Sequence, residues 1–248
     1  MSRVAVIVPA AGRSSRFGGI EKKPFLSLDG RPVWQRACEL FWTRDDVSRV
    51  YLVIAPDDRA DFRGRFGGVI AFANAEVVDG GAERFESVAN ALARVPDEVE
   101  FVAVHDAVRP LGTERLVSAV FAAAREHGAA MPAVPVADTL KRVDPQTNRI
   151  TGTVPRAGLW QAQTPQVFRR DWLVEAYARR AEFGPAITDD AQLVEAAGHP
   201  VMVVPGSPTN FKITTKDDFE LAELILKARS AAKAAERPAV GFGGEAEW

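Results

Sequence analysis

Val4-Ala5-Val6-Ile7-Val8-Pro9-Ala10-Ala11-Gly12-Arg13-Ser14-Ser15-Arg16-Phe17-Gly18-Gly19 passes from an unbroken apolar run into a loop of small residues and cations. Residues 4–8 carry no polar interruption. That is the pattern of a strand covered on both faces, as in a parallel sheet with helices above and below. The small residues that follow let the backbone turn tightly and present N–H groups to an anion. Arg13 and Arg16 add cations, and Lys22-Lys23 follows within a few residues. Polyphosphates need this mixture of backbone and cationic donors. A P-loop would require Gly-Lys-Ser/Thr, which is absent. The dinucleotide fingerprint fails as well, because its second and third glycine positions hold Ser14 and Phe17. A plain turn with solvated charges is the competing reading of this stretch.

Working outward, strand-like and helix-like patterns alternate. Strands are expected over 50–55, 75–78, 101–104, 130–136 and 201–204. Helices are expected over 32–44, 57–66, 83–95, 171–182, 189–197 and 215–233, and another that Thr113 caps. Leu221, Leu224, Ile225 and Ala228 are expected on the inner face of the last helix. This succession predicts an α/β fold: a mostly parallel, Rossmann-like sheet with helices on both faces. The alternation breaks at 138–156, where two short polar segments flank Asp144-Pro145-Gln146-Thr147-Asn148, a turn sequence. A β-hairpin arm protruding from the main sheet is expected there, either pairing with another subunit or simply solvated. One domain over 1–233 and a loose tail over 234–248 complete the organisation.

Composition excludes several classes. The 248 residues carry a net charge of -2, so no broad basic surface advertises nucleic acid or an anionic membrane. The one cysteine, Cys38, cannot form an internal disulfide, and with three histidines it cannot build an all-His/Cys zinc site. Neither a signal-peptide pattern nor an apolar run of membrane-spanning length is present. The expectation is a cytoplasmic protein.

Ligands of open α/β sheets gather beyond the carboxyl ends of the strands. After 75–78 comes Asp79-Gly80-Gly81-Ala82-Glu83-Arg84-Phe85-Glu86-Ser87, whose glycines permit close approach to a base or sugar. After 101–104 comes His105-Asp106-Ala107-Val108-Arg109-Pro110. There Asp106 is placed to hold Mg²⁺ against phosphates, and Arg109 either reaches a phosphate or locks Asp106. Further on stand Asp138-Thr139-Leu140-Lys141, Arg156, Thr164-Pro165-Gln166, Thr188-Asp189-Asp190 and Asn210-Phe211-Lys212. Taken singly, each of these also reads as a turn or cap.

In order and spacing, these segments resemble the 2-C-methyl-D-erythritol 4-phosphate cytidylyltransferase family of the non-mevalonate isoprenoid pathway, over residues 4–223. The matching motifs are Pro-Ala-Ala-Gly with a trailing Arg16, Lys23, Gly80-Gly81-x-x-Arg84-x-x-Ser87-Val88, His105-Asp106-Ala107-x-Arg109-Pro110, Pro135-x-x-Asp138-Thr139-x-Lys141, Arg156-x-Gly158-Leu159-Trp160-x-x-Gln163-Thr164-Pro165-Gln166, Thr188-Asp189 and Lys212-Ile213-Thr214. The resemblance implies a nucleotidyltransferase, glycosyltransferase-A-like version of the fold. It implies that Pro9, Ala10, Ala11 and Gly12 meet CTP phosphates and sugar. Gly81, Arg84, Ser87 and Ala107 would complete the nucleotide pocket, with Asp106 beside the nucleotide and Mg²⁺. Arg16 and Lys23 would stabilise the transition state. Thr139, Arg109, Arg156, Thr188 and Lys212 would bind the methylerythritol phosphate, and Arg156 and Lys212 would position its phosphate. The arm would cross to a partner in a homodimer, so that Thr139 and Arg156 serve the neighbouring site. This chain departs from the family pattern at Ser14, where glycine is frequent, and at Ala82 and Val108. It also has Lys22-Lys23-Pro24 in place of Pro-Lys-Gln, so Lys22 competes with Lys23 for the catalytic position.

The residues agree with such chemistry. A phosphate monoester, with a second pKa of about 6, is already a nucleophilic dianion at neutral pH. The scarcity of histidine is therefore no obstacle, and what the reaction needs is preorganised positive charge. Two rivals stand beside this reading. One is a cytidylyltransferase for another polyol phosphate such as ribitol 5-phosphate, against which the set Thr139, Arg156, Thr188 and Lys212 speaks. The other is a non-catalytic nucleotide-binding module, against which the presence of both Arg16 and Lys23 speaks.

Overall fold

The computed structural model describes residues 3–12, 22–184 and 187–235. In chain order its elements are β1 (Val4–Pro9), β2 (Ser27–Leu28), β3 (Arg31–Pro32), α1 (Val33–Trp42), β4 (Val47–Ile54), α2 (Arg59–Phe72), β5 (Ala75–Asp79), α3 (Arg84–Leu92), β6 (Phe101–Val104), α4 (Glu114–His127) and β7 (Ala129–Pro135). They continue with β8 (Leu140–Val143), β9 (Ile150–Val154), β10 (Trp160–Ala162), β11 (Gln166–Arg169), α5 (Arg170–Ala178), α6 (Asp190–Ala196), β12 (Met202–Pro205) and α7 (Lys216–Ala235).

β1 lies between β4 and β6, parallel to both, and β5 extends the sheet beyond β4. β11 runs antiparallel between β6 and β7. Ala130 of β7 pairs with Val167 on one edge and Met202 on the other, and Ala133 pairs with Ala162 and Pro205. β10 and β11 therefore share one edge of β7, and β12 takes the opposite edge.

Side-chain alternation builds two cores. Val4, Val6 and Val8 pack on one face with Val50, Leu52 and Ile54 of β4 and with Phe41, Val117 and Phe121 of α1 and α4. Ala5 and Ile7 face the other way, toward Val88 of α3, Leu173 of α5 and Leu193 of α6. The predicted α/β fold with helices on both faces is thus realised, from the expected period of two. Thr113 caps α4 as expected, its hydroxyl accepting from Leu116 N at 3.2 Å.

Four expectations need correction. The face of α7 is rotated. Ala222 is its buried residue and Phe219, Ile225 and Leu226 pack beside it, whereas Leu221 and Leu224 are 49% and 63% exposed and Ala228 is exposed too. The helix rests on Leu28, Val33, Leu111 and Ile213, not on the sheet, and Arg229 ties it to Leu111 O at 2.8 Å. α2 runs to Phe72, further than predicted. Gly64, Gly67 and Gly68 lower its helix propensity, but Phe62, Phe66, Val69 and Ile70 are packed on the core, and packing prevails. β2, β3, β10 and β11 add four strands beyond the expected set, because two to four residues between turns carry no periodic signal. The tail expected from 234 begins as the last two residues of α7, and the rest lies outside the described residues.

The arm is realised as β8 and β9, which pair with each other as a separate two-stranded sheet. Asp144 Oδ1 accepts from Gln146 N and Thr147 N at 2.8 and 3.1 Å, and Asn148 has φ of 55°, which fixes the turn.

Candidate active site

The strand ends gather the predicted segments. Ala10, buried at the end of β1, donates its N–H to Val53 O at 2.7 Å. A Cβ at Gly80 would fall 2.7 Å from Ala11 Cβ and 2.9 Å from Ser87 Oγ. Only glycine at that position lets the loops after β1 and β5 meet. Ser87 Oγ accepts from Gly81 N at 3.1 Å and donates to Glu83 O at 3.0 Å, so its first role is to shape this loop. Arg13, Ser14 and Arg16 lie outside the described residues.

Asp106, just beyond β6, is the centre of charge. Lys212 Nζ lies 3.0 Å from its Oδ2, Arg109 Nε 3.4 Å from the same oxygen, and Arg84 Nη2 3.8 Å from Oδ1. Burial alone would raise the pKa of this carboxyl, but Lys212, Arg84 and Arg109 outweigh it and hold the group ionised well below the usual carboxylate range. Arg84 is shared: its Nη2 also donates to Asp190 Oδ2 at 2.7 Å, and Tyr177 OH donates to the other oxygen of that buried carboxylate at 2.6 Å. Burial opposes the charge of Arg84, yet Asp190 and Asp106 raise its pKa above that of an ordinary arginine. Of the two roles open to Arg109, the geometry displays the locking one, because Nη1 donates to Asn210 O at 2.8 Å and Nη2 to Ala162 O at 3.3 Å.

The two lysines part company. Lys22 is paired with Asp58 at 2.5 Å, beside the α2 end of the molecule. Lys23 Nζ donates to Thr214 O at 3.2 Å, two residues beyond Lys212, on the side of the Asp106 cluster.

Thr139 and Arg156 stand elsewhere, exposed at the root of the arm, where Arg156 donates to Ala137 O. Thr188, also exposed, bonds to Gln192 Oε1 through its N–H and hydroxyl, at 2.8 and 3.1 Å.

Sequence reasoning quoted the buried polar residues beneath the cluster but assigned them no work. His105 is fully buried, with Nε2 3.2 Å from Arg109 O and Nδ1 3.1 Å from Thr164 Oγ1. A carbonyl only accepts, so Nε2 carries the hydrogen and Nδ1 accepts from the threonine hydroxyl. The same hydroxyl oxygen accepts Asp106 N–H at 3.1 Å. Burial pushes the His105 pKa down to about 4, against a smaller upward pull from Asp106. Gln166 spans to α6, giving Nε2–H to Asp189 Oδ2 at 2.8 Å and accepting Ala191 N–H at 2.9 Å. A Gln-Thr-Pro-Gln run followed by apolar residues was the available signal for such buried polar links. Among the described residues no group of three or more His, Cys, Asp or Glu could hold a metal by itself. No helix among them is long and apolar enough to cross a membrane.

Comparison with known proteins adds to this geometry. The model of one family, described as IspD: 2-C-methyl-D-erythritol 4-phosphate cytidylyltransferase, matches residues 4–228. A relative of that name from Rhodopirellula baltica is 42% identical over 234 residues, covering 90% of this chain and 94% of its own. Another, from Frankia casuarinae, is 46% identical over 225 residues, covering 90% and 81%. The crystal structure of the enzyme of that name from Thermus thermophilus superposes with a TM-score of 0.75 at 33% identity, covering 92% of this chain and all of the other.

Proposed function

The chain belongs to the 2-C-methyl-D-erythritol 4-phosphate cytidylyltransferase family, and we propose that the Asp106 cluster is where it works. Its reaction joins the cytidylyl group of CTP to 2-C-methyl-D-erythritol 4-phosphate, releasing pyrophosphate and giving the CDP-linked methylerythritol used in isoprenoid biosynthesis. The observation that carries the assignment of the site is the convergence of Lys212, Arg84 and Arg109 on one ionised carboxylate, beside the touching loops that hold Ala11 and Gly80.

In this reading the triphosphate lies along Pro9, Ala10, Ala11 and Gly12, and the base and ribose along Gly81, Arg84, Ser87 and Ala107. The acceptor phosphate is already a dianion at neutral pH, so its oxygen attacks the α-phosphorus in line while pyrophosphate leaves, without a general base. The obstacle is repulsion between two polyanions. Lys23 and Arg16 answer it at the α-phosphate, and Lys212 with Arg156 holds the acceptor phosphate. Thr139 and Thr188 bind the polyol. Arg109, its nitrogens turned to protein oxygens, acts by fixing Asp106 and the Asn210 backbone.

Mg²⁺ fits this donor set only together with the nucleotide. Asp106 Oδ1 faces Arg84 at 3.8 Å, beyond hydrogen-bond length, and one carboxylate completed by phosphate oxygens is a usual magnesium arrangement. Bound there, the ion would supply charge neutralisation on the triphosphate. The proposal includes a homodimer in which Thr139 and Arg156 serve the partner's site. It is supported by exposed Val143, Ile150, Leu159 and Trp160 on and beside the arm. It also retains the cytoplasmic setting expected above.

The test is pyrophosphate release with CTP and a panel of polyol phosphates. Turnover with methylerythritol phosphate, abolished in the Asp106→Ala and Lys212→Ala variants, is expected. Unchanged turnover in both variants, or turnover with ribitol 5-phosphate alone, would overturn the reading.

A further inference from the structure

We propose that Gln163 is a positioning residue for Lys212, coupling the root of the arm to the cation across the site; this rests on the role given to Lys212 above. Gln163 follows β10 directly, and its N–H fastens the chain to Pro132 O at 2.8 Å. The residue is 5% exposed, and both polar atoms of its side chain are engaged. Nε2 donates to Ser207 O at 2.8 Å, while Oε1 accepts from Ser207 N at 3.2 Å and from Asn210 Nδ2 at 3.3 Å. The side-chain amide thus pairs with one residue's backbone in both directions, as a neighbouring strand would.

The loop from 206 to 213 is shaped to receive it. A Cβ at Gly206 would fall 2.6 Å from Gln163 Oε1 and 2.9 Å from Ala133 O, so the loop can lie here only with glycine at that position. Asn210, itself buried, gives its other amide hydrogen to Thr164 O at 3.0 Å, and its carbonyl takes Arg109 Nη1–H. Ile213 N then bonds to Val108 O at 2.9 Å. Lys212 sits between these two anchors. Its side chain is 43% exposed, so the aim of its ammonium at Asp106 depends on where the backbone is pinned. The upstream pin runs through Gln163. On the other side of Gln163, Ala162 pairs with Ala133 of β7 and accepts from Arg109 Nη2 at 3.3 Å. β10, Gln163 and the Lys212 loop therefore form one continuous chain of hydrogen bonds.

The experiment is steady-state kinetics with CTP and methylerythritol phosphate on the full chain, combined with peptide-level hydrogen exchange. Gln163→Leu removes the clamp. Gln163→Glu keeps the shape and the acceptor but loses the donor to Ser207 O. Each is made with Lys212 present and with Lys212→Gln. Gln163→Leu is expected to lower kcat/KM for the acceptor phosphate on the order of ten- to a hundredfold, since small misplacement of a reacting group costs this much. KM for CTP should stay within about twofold, because the nucleotide loops do not bond to Gln163. On the Lys212→Gln background the further loss should be less than about twofold, as expected for two residues acting through one interaction. Exchange should quicken over 206–213 and not over 80–92. Should Gln163→Leu fail to fold, Gln163→Glu carries the same comparison with a smaller loss. Equal losses on both backgrounds, or unchanged exchange over 206–213, overturn the proposal. Where Lys212→Gln turns over too slowly for the cycle, the exchange result decides. Full activity of Lys212→Gln with quickened exchange in Gln163→Leu would instead overturn the role of Lys212.

Discussion

The Asp106 pocket and the arm are built on opposite principles. Among the described residues of the pocket, Arg84 is aimed by Asp190, Arg109 by two backbone carbonyls and Lys212 by the anchors on either side of it. On the arm, Thr139 and Arg156 are exposed, and Ile150 stands 64% in solvent with its ladder partner Val143 exposed beside it. A lone two-stranded hairpin is marginal in water, and apolar residues at its surface call for a cover. The difference teaches that the cluster around Asp106 is finished by contacts within one chain where its loops return to the sheet, whereas the arm leaves apolar residues uncovered where the chain departs from it.

The largest effect should come from the pocket. Lys23→Ala is expected to lower kcat by about 10²–10³-fold, the size of one preorganised donor worth about 2.7–4 kcal/mol. Lys22→Ala, whose ammonium is already held by Asp58, should change kcat by no more than about threefold, as for a charge outside the reacting centre. The reverse pattern, read from pyrophosphate release, would move the catalytic cation to the other side of the turn.

Mixing subunits tests the arm. Lys212→Ala and Arg156→Ala chains should each be nearly inactive. If the arm serves the partner, half of randomly re-formed dimers are mixed and carry one intact site, so activity should recover to about a quarter of normal. No recovery, with mixed dimers demonstrated by native mass spectrometry, would return Arg156 to its own chain's site.

The buried His105 makes the pocket sensitive to acid. Its pKa is about 6.5 in the unfolded chain and about 4 when folded, so the unfolded state binds the proton first as pH falls. The stability that depends on a neutral His105 is complete above about 6.5 and declines as pH drops toward 4, by a total on the order of 3 kcal/mol. Urea unfolding of His105→Gln should show a flatter profile over that window. An unchanged slope would mean that other groups govern the acid limb.

The smallest effect belongs to the arm's surface. Ile150→Ser should change the stability of the isolated chain by no more than about 0.5 kcal/mol. In the same protein it should weaken self-association, measured by sedimentation. A loss of chain stability comparable to a core truncation would mean that the arm is packed after all.

Much of this was legible in the sequence, because it depends on local pattern. The unbroken run at 4–8 determined a central strand, and the alternation of patterns determined an α/β sheet with helices on both faces. The ends of the expected strands located Gly80, Asp106 and their neighbours, since ligand loops follow strand ends in such sheets. Asp144 through Asn148 marked a hairpin whose two strands pair as predicted. Only the tertiary structure decided which face of α7 is buried, because that depends on the patch it lands on, and Leu224 and Ile225 are equivalent to a periodicity argument. It alone separated Lys22 from Lys23, adjacent in sequence but drawn to Asp58 and to the Thr214 backbone. The work of Gln163, Thr164 and Gln166 was likewise out of reach. Their partners lie 23 to 59 residues away, and a buried polar side chain has no periodic signature: its meaning is the group it meets, and folding alone supplies that group.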